Sequence, residues 1–144
     1  MDIFKGRNLL EFSERFKTDL ECKEYLAFIK NRTPYRCLKC NHNACQVTAD
    51  FARQCNICSH KESATANTLF HKVKFGVKKA FFICFEMSTT NKSPSASYMG
   101  VRYGVTDKTA RLFMKKVREA MSSTGNNPMD GSVHVDEFVI GGKE

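Results

Sequence analysis

Two short runs, CLKC and CNIC, put Cys37, Cys40, Cys55 and Cys58 into a pair of CxxC knuckles with 14 residues between them. Each knuckle turns two thiolates toward one point, and two knuckles on facing hairpins complete a tetrahedral four-sulfur site. Zinc is the usual occupant of such a set. With no open coordination position, the ion is structural rather than catalytic. A redox-active CxxC needs only one pair and leaves the second unexplained. Cys45, His42 and His60 lie close enough in sequence to compete as ligands, but a ribbon with two complete knuckles needs nothing further. Cys22 and Cys84 fall on apolar helical stretches and read as core. His71 has no evident partner.

A second constellation carries charge. In the run from Asp107 to Met121, Ala110, Phe113, Met114, Val117 and Met121 fall within one arc of about 100° on a helical wheel. Lys108, Arg111, Lys115 and Arg118 fall within another arc, roughly opposite, and Leu112 lies outside the apolar one. A short helical stretch with Ala96 and Met99 precedes this run, joined to it by Gly104-Val105-Thr106. Helix, tight glycine turn and a helix with a cationic outer face form what a DNA-reading helix-turn-helix requires. Its second helix must enter the major groove while apolar residues hold it to the first. The plainer reading is an amphipathic helix with a solvated basic face.

The third constellation is VHVDEFVIGG, residues 133–142. Its period of two places Val133, Val135, Glu137 and Val139 on one face and His134, Asp136, Phe138 and Ile140 on the other. Gly141-Gly142 then reads as a tight turn. Asp136 and Glu137 are neighbours on a strand, so only one of them can point into a site.

Other elements must position these groups. Residues 8–31 read as helical, with Thr18 or Asp19 capping a second helix whose first turns hold Glu21 and Glu24. From Tyr35 to Phe70 the character changes to cysteines and short β-type pieces, CQVTADFARQC and SATANTLF. Helix returns near Val77. Ser93 and Pro94 suit the start of the following helix, and Gly104 suits its end. Thr106 or Asp107 caps the last helix. SSTGNNPMDGS has linker composition. The expected fold class is α+β, with segments at 1–34 (helical), 35–70 (zinc ribbon), 71–121 (helix-turn-helix), 122–131 (linker) and 132–144 (the start of a further domain).

Charge distribution agrees with a polyanion partner. The formal net charge is +8, yet residues 1–29 carry 5 basic against 6 acidic side chains. Residues 30–60 carry 5 against 1, residues 61–118 carry 12 against 3, and residues 119–144 carry 1 against 5. The surplus sits in the middle. The opening MDIFKGRNLLEFSERF has no signal-type apolar run, and AFFICFEM is too short to span a bilayer. A cytoplasmic location is expected, where seven cysteines suit metal binding or inert thiols better than disulfides.

The order of these parts resembles the N-terminal region of bacterial insertion-sequence transposases. The subgroup concerned has a zinc ribbon and a catalytic domain of the RNase H-like, three-carboxylate type. The resemblance covers essentially the whole chain, and the VDEFVIGG strand is its more specific part. It implies that this strand opens the catalytic domain and that Asp136 is the first catalytic carboxylate. It also implies paired Mg2+ or Mn2+ ions in a full-length form, and double-stranded DNA at element ends as the partner. The later carboxylates would lie beyond residue 144, so the chain is expected to be a truncated form, able to bind element ends but not to cut or join them. The truncated chain could act as a homodimer, or inhibit by pairing with full-length copies. The competing expectation is a zinc-ribbon, helix-turn-helix transcription regulator without enzymatic ancestry.

Overall fold

The computed structural model describes residues 2–122. The linker beyond Ser122, the expected closing strand and Asp136 lie outside the described residues. The fold is α+β: five helices and one three-stranded antiparallel sheet.

Helix α1, Leu9–Arg15, starts at Asn8, whose side chain accepts the Leu10 N–H at 2.9 Å. Helix α2, Asp19–Lys30, starts at Thr18 with a full capping box. Thr18 accepts the Glu21 N–H at 3.2 Å while the Glu21 carboxylate accepts the Thr18 N–H at 2.9 Å. Asp19, the other candidate cap, serves a different helix. Its Oδ1 accepts the Lys78 N–H at 2.7 Å, in the first turn of α3, Val77–Thr89. Gly76 at that helix start has no side chain to offer, so α2 supplies the missing acceptor.

Helix α3 organises the interior. Val77, Phe81 and Phe85, spaced by four, enter one cluster with Phe12 and Phe16 from the α1 region and Leu26 of α2. Phe12 stacks on Phe85 at 4.1 Å, and Phe16 meets Phe81 edge-on at 5.2 Å. Ala80 and Ile83, on another face, enter a second cluster with Met99, Ala110, Phe113, Met114 and Val117. AFFIC is rich in aromatic and β-branched residues, which are weak helix formers. Burial on two sides, not propensity, holds α3 helical.

Between α2 and α3 lie β1 (Cys45–Val47), β2 (Arg53–Cys55) and β3 (Lys61–Glu62). Cys45 pairs with Cys55, Gln46 with Gln54 and Val47 with Arg53, while Arg53 also faces Glu62 across the second ladder. The first hairpin closes through the Thr48 N–H donating to Ala52 at 2.8 Å. SATANTLF is not a strand. It forms successive turns, because Ser63 and Thr65 offer the backbone local partners: Ser63 Oγ accepts the Ala66 N–H and Thr65 O accepts the Thr68 N–H. Phe51 and Ala64 carry the ribbon onto the first cluster.

Helix α4, Ala96–Tyr103, starts two residues later than Ser93 and Pro94 suggest, because Ser95 accepts the Tyr98 N–H at 3.1 Å and becomes the cap. Helix α5, Asp107–Met121, is capped by Thr106. Met121, expected on its apolar face, is exposed: α4 and α3 cover only the four buried positions up to Val117. Among the described residues no helix is long and apolar enough to cross a membrane.

Candidate metal centre and nucleic-acid interface

The two knuckles are built alike. The Cys37 N–H donates to His42 O at 2.9 Å, and the Asn41 N–H returns to Cys37 O at 3.0 Å. In the second knuckle the Cys55 N–H donates to His60 O at 2.9 Å, and the Ser59 N–H returns to Cys55 O at 3.1 Å. Asn41 and Ser59 both adopt positive φ, 62° and 56°, which folds the chain back after each second cysteine. His42 and His60 thus contribute backbone carbonyls to the turns that present the thiols.

The sulfurs of Cys37, Cys40, Cys55 and Cys58 all lie within 4.8 Å of one another. Across the knuckles, Cys37 Sγ is 3.5 Å from Cys58 Sγ and Cys40 Sγ is 3.5 Å from Cys55 Sγ. These separations are too long for disulfides. They sit near the edge length of about 3.8 Å that Zn–S bonds of about 2.3 Å give a tetrahedron. Backbone N–H groups favour the thiolate form of the first cysteine of each knuckle. The Cys40 N–H, with that of Lys39, holds Cys37 down to about 6 against the opposing effect of burial. Cys55 is lowered in the same way by the Cys58 and Ile57 N–H groups. At Cys40 the His42 N–H lowers the thiol, but desolvation and the shared hydrogen bonds of the other three sulfurs outweigh it, pushing it up to about 12.

A further observation fits an anionic four-sulfur centre. The Tyr35 hydroxyl is buried and has no conventional hydrogen-bond partner. Burial first, then the Cys37, Cys55 and Cys45 sulfurs, raise its pKa. A buried phenol facing thiols is suited to four metal-bound thiolates, which leave net negative charge around the ion. The four cysteines are compatible with a structural zinc. Cys45, on β1 opposite Cys55, stays outside the four-sulfur group. Cys22 is fully buried, and burial pushes its thiol up to about 12. Cys84 is half-buried against the second cluster, where burial likewise raises its thiol.

The ribbon is tied to the helices by an arrangement the sequence does not announce. Glu62 is 8% exposed, and its Oε1 accepts from Lys30 Nζ of α2 at 3.0 Å and from Arg53 Nη2 of β2 at 3.1 Å. Burial alone raises that carboxyl. The two cations outweigh it and hold Glu62 below its usual range.

Helices α4 and α5 meet across a turn that two glycines permit. Gly104 sits at φ 66°, ψ 42°, the left-handed region. Gly100 lies so close to the turn that a Cβ there would stand 2.8 Å from Val105 O. Ala110, Phe113, Met114 and Val117 hold α5 against Met99 and α3, and Lys108, Arg111, Lys115 and Arg118 are all exposed. Arg111 pairs with Asp107 at 3.2 Å, Lys115 approaches Glu119 at 4.0 Å, and Arg118 donates to Ser93 Oγ at 3.2 Å. Lys108 has no ion-pair partner among the described residues. No protein-family model, curated protein or solved structure matches this chain.

Proposed function

We propose that this chain binds double-stranded DNA through α5, as the end-recognising N-terminal part of an insertion-sequence transposase. The observation that supports the reading best is the arrangement of α4, the Gly104 turn and α5. Four apolar side chains anchor α5, and Lys108, Arg111, Lys115 and Arg118 occupy its open arc. A helix held this way can lie in the major groove, its cations meeting phosphates and base edges. The four-cysteine ribbon, holding structural zinc, is a rigid companion to that helix pair. Asp136 would supply the first carboxylate of a site for paired Mg2+ or Mn2+ in a full-length form. The ribbon and helix pair would serve a zinc-ribbon transcription regulator equally well, and the DNA target separates the two readings.

Anisotropy titrations against terminal inverted-repeat DNA and a scrambled duplex provide the test. Arg111→Ala and Lys115→Ala should weaken binding more than Lys17→Ala and Lys23→Ala, which lie in the charge-balanced N-terminal region. Each lost phosphate contact lowers the salt slope by about 0.9, whereas a lost base contact relaxes sequence preference. Equal losses from both pairs would remove α5 as the reading element. Preference for promoter-like sequence over element ends would favour the regulator.

A further inference from the structure

Among the described residues Lys30, Arg53, Lys61, Arg102, Arg111 and Lys115 pair with carboxylates, and three of the remaining cations share one groove. Lys72 and Lys74, in the loop leading to α3, and Lys116 of α5 line one groove together with Val73, Phe75 and Leu112. All three lysines are exposed, and none has an ion-pair partner among the described residues. No acidic side chain lines the groove. Three like charges lining one groove with no carboxylate among its lining make a positive surface that favours a polyanion.

The loop is held in place rather than free to swing. Val73 and Phe75 pack against the second cluster, and Phe75 meets Phe113 of α5 edge-on at 5.4 Å. The lysine stems can lie along this apolar surface while their ammonium groups stay in water. Leu112, 58% exposed, forms part of the groove wall and so has a place that helical periodicity alone does not give it.

Position around α5 suggests the occupant. Lys116 follows Lys115 by about 100° of helical rotation, on the side away from Arg118. The cationic arc of α5 therefore ends on one side at Arg118, which reaches Ser93, and is flanked on the other by Lys116 with Lys72 and Lys74. A helix lying in the major groove has a phosphate strand along each side. We propose that the Lys72–Lys74–Lys116 groove holds one phosphate strand of duplex DNA while α5 occupies the adjacent major groove. This rests on the reading of α5 as the DNA-binding helix. It adds a segment far from α5 in sequence to the interface and assigns it a sequence-independent role.

The test uses the metal-loaded full chain and a short labelled duplex of arbitrary sequence, titrated by anisotropy across a range of KCl concentrations. Replacing all three lysines by Gln should reduce the slope of log K against log salt by about 2.7, at 0.9 per contact, and Lys116→Gln alone by about 0.9. The triple Lys→Arg variant should keep the wild-type slope. Discrimination between the terminal inverted-repeat duplex and the arbitrary one should be unchanged in the Gln variants. Thermal melting of each variant checks that the fold is retained, and Lys116→Gln, a single exposed change, carries the comparison if the triple variant melts early. An unchanged slope in Lys116→Gln and the triple variant, with wild type binding DNA normally and Arg111→Ala impaired, overturns this inference alone. Failure of wild type to bind any duplex overturns the α5 reading and this inference with it.

Discussion

At Gly100 a single hydrogen atom decides how closely α4 approaches the turn into α5. An alanine there gains about 1 kcal/mol of helix propensity. Its methyl, however, would meet Val105 O at 2.8 Å, and Val105 also donates its N–H to Gly100 O at 2.9 Å. That neighbour is backbone held by its own hydrogen bond, so it cannot rotate away as a side chain could. Overpacking of this kind costs about 1–3 kcal/mol. The strain outweighs the propensity gain. Gly100→Ala should therefore lower the melting temperature by a few degrees, at about 2–4 °C per kcal/mol for a chain approaching 150 residues. An unchanged or raised melting temperature would mean that the turn can shift away at little cost. The sequence marks Gly104 as the helix end, but nothing in it marks Gly100: only the position of the turn shows that Gly100 is needed for space while Gly104 takes the left-handed backbone.

At the scale of elements, the ribbon and the helices are stabilised by different means. Strands of three, three and two residues enclose almost no core of their own. Structural zinc in comparable small sites contributes an apparent 10–16 kcal/mol. Stripping metal from the loaded chain with a chelator should therefore expose the amides of β1 and β2 to hydrogen exchange while those of α3 and α5 stay protected. Cys55→Ser should reproduce the effect, with bound metal falling sharply from one ion per chain. Strand protection that survives metal removal would refute a metal-dependent ribbon. The ribbon's link to α2 titrates separately. Because the folded Glu62 pKa is lowered, its stabilisation is present above the unfolded value near 4.5 and fades as pH falls through the folded value. Glu62→Gln leaves Lys30 and Arg53 without their carboxylate and should cost about 3 kcal/mol at neutral pH. The gap from wild type should close in acid; a gap constant down to pH 3 would show that the charge of Glu62 is irrelevant. The four-cysteine cluster was legible because spacing within a CxxC knuckle is local, and α5 because a 3.6-residue period is local too. The Lys30–Glu62–Arg53 link and the Asp19 cap on α3 join residues 9 to 59 positions apart, and no periodicity encodes such pairings. SATANTLF misled for a different reason: its threonines favour strands in isolation, but hydroxyls that reach their own backbone favour turns.

Across the whole described molecule, the basic middle segment and the charge-balanced N-terminal helices are not separable layers. They share α3, whose Val77, Phe81 and Phe85 belong to the N-terminal cluster while Ala80 and Ile83 belong to the cluster under α5. This bears on any attempt to isolate α4 and α5, the proposed DNA-binding part. A shortened protein beginning near Phe70 keeps every residue of α4 and α5 but leaves Val77, Phe81 and Phe85 facing water, stripped of Phe12, Phe16 and Leu26. A contiguous aromatic stripe of that kind drives self-association. Sedimentation or light scattering should find the shortened form aggregated or oligomeric at concentrations where the full chain is not. A monodisperse short form would show that α3 does not need its second cover. If the stripe does cause association, the smallest well-behaved version begins before Phe12, and the helices that carry no surplus charge act as a built-in solubility partner for the ones that do.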